Sequence, residues 1–272
     1  MMRLRAPFRQ PEWSALALIE SPEHVRMAHD EFARAGAQVL TTNAYAVVPF
    51  HLGEERFATE GGRLAESAAS MCRSVADQHG VRVAGCVPPP LGSYRPDAMH
   101  VGEAERVLRV LVEAQAPFVD LWLVETQSSV AEVEVAARMV TGSVPLWVSF
   151  TVDDIDGTRL RSGESVSEAV RAAVDLGAET VLFNCSRAEV MADAARAALE
   201  VGGVPVGVYP NLLVATDDAD ANVGLHDVRD VSLDEYAAWA ETWVAMGVEV
   251  IGGCCGADAR HIAALSARLA GG

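Results

Sequence analysis

Residues 166–185 read VSEAVRAAVDLGAETVLFNC, and the change of rhythm inside them decides the fold. Val166 to Leu176 is an amphipathic segment whose small and apolar residues return at helical spacing, so it predicts a helix. Gly177 follows, the residue type that accepts the left-handed turn closing a last helical turn. Thr180 to Asn184 is a short apolar run, as expected of a strand buried on both faces. The same helix-to-strand return recurs at Ala35-Gly36-Ala37 and Met246-Gly247-Val248, where it is structural punctuation.

Working outward, the alternation continues through the chain. Strands are predicted at Gln38 to Thr42, Val81 to Val87, Val119 to Val124, Leu146 to Phe150, Thr180 to Asn184, Val204 to Tyr209 and Val248 to Gly252. Helices are predicted at Pro22 to Ala35, Glu54 to His79, Glu103 to Ala116, Ser129 to Thr141, Val166 to Leu176, Ala188 to Val201, Leu233 to Met246 and Ala259 to Leu269. Ser21 before Pro22 offers a capping hydroxyl for the first of these helices. No linker or low-complexity run divides the chain, although Asp217 to Asp230 forms a long acidic loop, so residues 1–272 are expected to form one domain.

Buried strands with short returns at one end and longer loops at the other point to a (β/α)8 TIM-type barrel. The count gives eight helices against seven strands, so the barrel lacks its first strand. Either Met1 to Phe8 form a stunted replacement, another chain fills the gap, or the natural product starts further upstream.

The 272 residues hold 21 basic and 38 acidic side chains, a formal net charge of −17. Such a field repels phosphate backbones and anionic membrane surfaces, which excludes nucleic acid and membrane as expected partners. Half the residues are hydrophobic, enough for a large core and too many for a disordered chain. No apolar run reaches the ~18 residues that cross a bilayer, and MMRLRAPFRQPEW holds no secretory signal, so a cytoplasmic protein is expected. Oligomeric state is not readable, and a homo-oligomer stays open.

Five cysteines, two of them adjacent, make a poor disulfide framework and suit reduced thiols. In a (β/α)8 barrel chemistry collects where strands end. Asn184-Cys185 ends one strand and Gly252-Gly253-Cys254-Cys255-Gly256 ends the last, so three thiols can converge at the mouth in the pattern of a three-ligand zinc site with an open fourth position. The competing reading is that cysteine is a small hydrophobe that buries well, which suits Cys72 in a helix and Cys86 in a strand. Glycines around Cys254 and Cys255 permit close backbone approach that packing alone would not require. The seven histidines lack metal-ligand spacing.

Trp13-Ser14-Ala15-Leu16, Ala35-Gly36-Ala37 leading to Thr41-Thr42-Asn43-Ala44-Tyr45, Glu125-Thr126, Asn184-Cys185, Tyr209-Pro210-Asn211 and Gly252-Gly253-Cys254-Cys255-Gly256 together resemble the homocysteine S-methyltransferase family, in register from about Pro11 to His261. That family includes betaine-dependent and S-methylmethionine-dependent enzymes and the homocysteine domain of cobalamin-dependent methionine synthase. The resemblance implies a (β/α)8 barrel with Zn2+ on Cys185, Cys254 and Cys255, homocysteine and a small cationic methyl donor as partners, and methionine as product. It implies that Glu125 holds the substrate amino group, with Thr126 following it in the substrate site, although Glu125 also reads as a helix-start carboxylate before Ser128 and Ser129, and that Tyr45 lies near the metal, where it also reads as an ordinary lining aromatic. Asn184 is expected to orient the Cys185 loop or thiolate through its amide, and Ser93 and Tyr94 lie on a proline-rich loop able to cover the donor or, equally, to serve as a stiff connector. Among donors a sulfonium, S-methylmethionine or S-adenosylmethionine, is the expectation.

One departure is plain. Family members begin with a strand bearing Asp-Gly-Gly or Asp-Gly-Ala, which nothing here matches, in agreement with the strand count. A second reading is therefore kept: a non-catalytic barrel relative acting as a zinc- or thiol-binding subunit with a partner chain.

Overall fold

The computed structural model describes residues 4–140, 144–213 and 228–269. Seven parallel strands lie in chain order in one curled sheet: β1 (Val39–Thr41), β2 (Arg82–Val87), β3 (Leu121–Gln127), β4 (Leu146–Phe150), β5 (Thr180–Arg187), β6 (Val206–Asn211) and β7 (Val250–Ile251). Around them run α1 (Trp13–Glu20), α2 (Pro22–Arg34), α3 (Pro49–Leu52), α4 (Glu54–His79), α5 (Val101–Gln115), α6 (Val130–Met139), α7 (Val166–Asp175), α8 (Met191–Val201), α9 (Leu233–Met246) and α10 (Ala259–Leu269). The expected α/β TIM-type barrel with seven strands is what forms, and β4, α4, α9 and α10 have the bounds read from the sequence.

Gly36, Gly177 and Gly247 take φ of +99°, +92° and +104°, the left-handed turns expected between helix and strand. The Ser21 expectation needs correction: its hydroxyl bonds the Glu23 carboxylate and His24 Nδ1 and caps no backbone amide. Among the described residues the complete capping boxes are Ser129 with Glu132, Ser165 with Glu168 and Ser232 with Glu235. Helices α1 and α3 were not anticipated, and residues 4–12 contain no strand, which removes the described part of Met1 to Phe8 as a stunted replacement.

The barrel interior changes character along the strands. Ala84, Leu121, Leu123 and Leu182 form a buried apolar layer. Side chains two residues apart share a face, so Cys86, Glu125 and Asn184 stand above Ala84, Leu123 and Leu182 on the same inner wall. The polar layer is thereby placed at the C-terminal mouth.

Among the described residues no strand lies between β7 and β1. Helices α2 and α10 pack across that gap, closely enough that a Cβ at Gly36 would fall 2.4 Å from Ser266 Oγ. One cavity of about 1770 Å³ runs from the mouth to this gap, bounded by both Cys185 and Leu269. Its size exceeds an ordinary small-molecule site of roughly 300–1,000 Å³ because the interior is open on the side of the missing strand. Among the described residues no helix is long and apolar enough to cross a membrane.

Candidate metal and substrate site

Both chemistry-bearing strands are bulged where they carry the chemistry. The β3–β4 register shifts between Val124 and Gln127, and the β5–β6 register between Asn184 and Arg187. Inside those shifts Thr126 and Cys185 take φ of +61° and +53°, conformations costly to residues with a Cβ. A bulge re-aims the side chain beside it, which turns Cys185 toward the barrel axis. Its carbonyl is fixed by two donors, Tyr94 Oη at 2.7 Å and Asn211 Nδ2 at 3.0 Å.

The second strand end is held from below. Cys254 N donates to Pro210 O at 2.9 Å and Leu212 N to Cys255 O at 2.8 Å, so the loop after β7 is pinned to the end of β6. Glycine is required in it: a Cβ at Gly253 would lie 2.4 Å from Ala257 Cβ and 3.1 Å from Tyr236 Oη, and Gly256 has φ of +85°. Tyr236 Oη donates to Gly252 O, fixing the start of the same loop.

The result is one cluster. Cys185, Cys254 and Cys255 bring their sulfurs within 4.8 Å of one another, with Cys185 and Cys254 Sγ 2.6 Å apart, and none forms a disulfide. Hydrogen bonds from Cys185 and Cys254 hold the Cys255 thiol well below its ordinary value, while the bonds of Cys254 with Cys185 first and Cys255 next push Cys254 up. Three soft sulfur donors around one point, with open cavity on the remaining side, suit a divalent ion with one free coordination position. Cys72 and Cys86 are wholly buried elsewhere.

Beside the sulfurs stands Glu125. It is 8% exposed, and burial raises its carboxyl to about 7. Cys86 Sγ donates to Oε1 at 3.0 Å and Tyr209 Oη to Oε2 at 3.3 Å, so Cys86, read as packing, also orients a carboxylate. Asn184 joins three strands: its Oδ1 accepts from Thr126 N at 3.0 Å and Ser149 Oγ at 2.7 Å, and its Nδ2 donates to Thr126 Oγ1 at 2.8 Å. The same Nδ2 lies 4.0 Å from Cys254 Sγ. Tyr45 Oη and Ser93 Oγ are 2.6 Å apart, and both line the cavity.

Two lining residues had drawn no role from the sequence. Trp13 has φ of +47°, packs edge-on against Phe8 and His51, and keeps a buried indole Nε1 without a partner among the described residues. Its place in Trp-Ser was visible, its inward exposure to the cavity was not. Arg161, from the loop after β4, stacks on the Tyr94 ring with its guanidinium carbon 4.0 Å from the centroid.

Comparison with known proteins accounts for this arrangement. The family model described as homocysteine S-methyltransferase matches residues 2–269. A homocysteine S-methyltransferase of Escherichia coli is 30% identical, over 94% of this chain and 87% of its own length. Betaine--homocysteine S-methyltransferase 1 of Danio rerio is 27% identical, over 94% of this chain and 67% of its own. The crystal structure of the homocysteine methyltransferase MmuM from Escherichia coli, metallated form, superposes with a TM-score of 0.80 at 26% identity, covering 98% of this chain and 92% of that one. The chain therefore belongs to the homocysteine S-methyltransferase family and is a methyltransferase.

Proposed function

We propose that this protein moves a methyl group from a sulfonium donor, S-methylmethionine or S-adenosylmethionine, to the thiolate of homocysteine, giving methionine, with zinc held by Cys185, Cys254 and Cys255. The observation that carries this reading is the convergence of those three sulfurs at the barrel mouth beside a buried carboxylate. When bound, zinc at +2 among three cysteinates would favour the substrate sulfur as thiolate near neutral pH while leaving it electron-rich.

The chain's own residues do the rest. Glu125, oriented by Cys86 and Tyr209, receives the substrate ammonium and thereby regains its charge despite burial. Asn184 holds the bulge at Thr126 in place and so fixes the strand end that presents Glu125. Tyr45 and Ser93 wall the mouth. Trp13, with Phe8 and His51 behind it, offers an aromatic face to a cation. The substrate thiolate attacks the donor methyl carbon in line; a sulfur–carbon bond forms, the donor's sulfur–methyl bond breaks, and its electron pair returns to the donor sulfur as a neutral thioether. No proton moves in that step, so barrel and carboxylate act by orientation. We place the reaction in the cytoplasm, where thiols stay reduced.

The test is a methyl-transfer assay on zinc-loaded protein with homocysteine and S-methylmethionine, S-adenosylmethionine or betaine. Methionine formed with a sulfonium supports the reading. No methionine with any donor at full metal content overturns it, and turnover with betaine alone overturns the donor assignment.

A further inference from the structure

Arg161 stands out among the cations of the cavity wall. Arg187 and Arg260 are 38% and 65% exposed and lie against Glu189 and Asp258, and Arg82 stacks on Trp147 near the opposite end of the strands. Arg161 is 18% exposed, at the mouth, stacked on the tyrosine whose hydroxyl holds the Cys185 carbonyl. Its guanidinium has five N–H donors. Nε donates to Thr151 Oγ1 at 3.0 Å and Nη2 to Asp154 Oδ2 at 2.8 Å; among the described residues the other three have no acceptor. The Tyr94 face and these two bonds fix the plane of the fork and remove the entropy cost of ordering it.

Asp154 does not use up this cation. Its other oxygen, Oδ1, accepts from Arg187 N at 2.8 Å, so the carboxylate also ties down the loop and engages only one of the guanidinium's five donors. Part-buried N–H donors facing a cavity await an acceptor, and burial strengthens whatever bond they make. Both substrates of the proposed reaction are amino acids, each with an α-carboxylate. Glu125 and the sulfurs account for an ammonium and a thiolate, and no other side chain described at the mouth offers a comparably buried, pre-oriented match to a carboxylate.

We propose that Arg161 is the carboxylate-binding residue of the mouth, gripping the α-carboxylate of a zwitterionic amino-acid substrate through its unengaged N–H groups. The inference rests on the proposed function and names the part of the substrate that this site selects. It makes the enzyme specific for amino acids over the corresponding amines.

The experiment compares each substrate with its analogue lacking the carboxylate. Homocysteine is paired with 3-aminopropane-1-thiol, and S-methylmethionine with 3-aminopropyldimethylsulfonium, in calorimetric binding to zinc-loaded wild type, Arg161→Gln and Arg161→Lys. In the wild type the carboxylate should tighten binding about 10- to 100-fold for the substrate that Arg161 holds. That ratio should collapse toward 1 in Arg161→Gln and recover in part in Arg161→Lys, which keeps charge without the fork. Collapse in the homocysteine pair assigns the carboxylate to the acceptor, and collapse in the sulfonium pair assigns it to the donor. An unchanged ratio in both pairs overturns the proposal. Equal binding of each amine to variant and wild type shows that the site is intact, and failure of the wild type to bind homocysteine would overturn the functional reading instead.

Discussion

Glu125 carries the pH dependence of the site. Burial first, and the nearby Cys185 in addition, raise its carboxyl to about 7, so at pH 6 most of it is neutral and offers nothing to an ammonium. Homocysteine affinity through this residue should rise about tenfold between pH 6 and 8 as the carboxylate forms. Glu125→Gln should bind homocysteine more weakly, and the ratio of wild-type to variant affinity, measured by calorimetry, should grow through pH 7; a ratio flat with pH contradicts the role. Linkage gives the opposite trend in stability. A carboxyl raised in the folded state contributes stability that is present below its unfolded value near 4.3 and lost as pH rises through 7. Glu125 was legible as a mouth carboxylate because it follows a predicted strand. Its bond from Cys86 was not, since alternation along one strand reports the face a side chain takes and not its neighbour on the next strand.

At the scale of elements, the loop after β7 shows how backbone shape delivers ligands. Gly253→Ala puts a Cβ into Ala257 and Tyr236 Oη, so the loop must shift. The variant should lose about 1–3 kcal/mol of unfolding free energy and more than tenfold in zinc affinity, read by competition with a chromophoric chelator. Ser232→Ala, which removes the hydroxyl of the α9 capping box, should cost about 1 kcal/mol and leave zinc affinity unchanged. Equal effects of the two variants on zinc would show that the loop shape is not what matters. Helix ends and strand order were readable because apolar periodicity and glycine punctuation are local signals. The bulges at Thr126 and Cys185 were not: β3 and β5 run on to Gln127 and Arg187, and the left-handed turns inside them are imposed by Asn184, Tyr94 and Asn211 from other elements. Ser21 failed as a cap for a similar reason, its hydroxyl being taken by the side chains of Glu23 and His24.

Over its described residues the molecule is an open barrel, and its gap leaves a mark on stability. His29 on α2 lines the cavity, is 8% exposed, and has a buried Nε2 without a partner among the described residues. Burial lowers its pKa to about 4, so it binds a proton more readily unfolded than folded. Stability from this residue is present above pH 6.5 and lost as pH falls toward 4, which amounts to about 2 kcal/mol between pH 7 and 5. His29→Leu should lose that much less over the same interval in urea unfolding, and an identical loss would contradict the assignment. The strand deficit that foretold the gap was a matter of counting and survived; the helix α1 that follows residues 4–12 did not announce itself, because its hydrophobic residues show little sidedness. What the architecture accomplishes is to bring Cys185 of β5 and the cysteines of the loop after β7, about 70 residues away, to one point. X-ray absorption at the zinc edge tests that most directly. Zinc-reconstituted protein should show three sulfur neighbours at about 2.3 Å, becoming four when homocysteine is added. A shell dominated by nitrogen and oxygen, or a sulfur count that homocysteine leaves unchanged, would contradict the account.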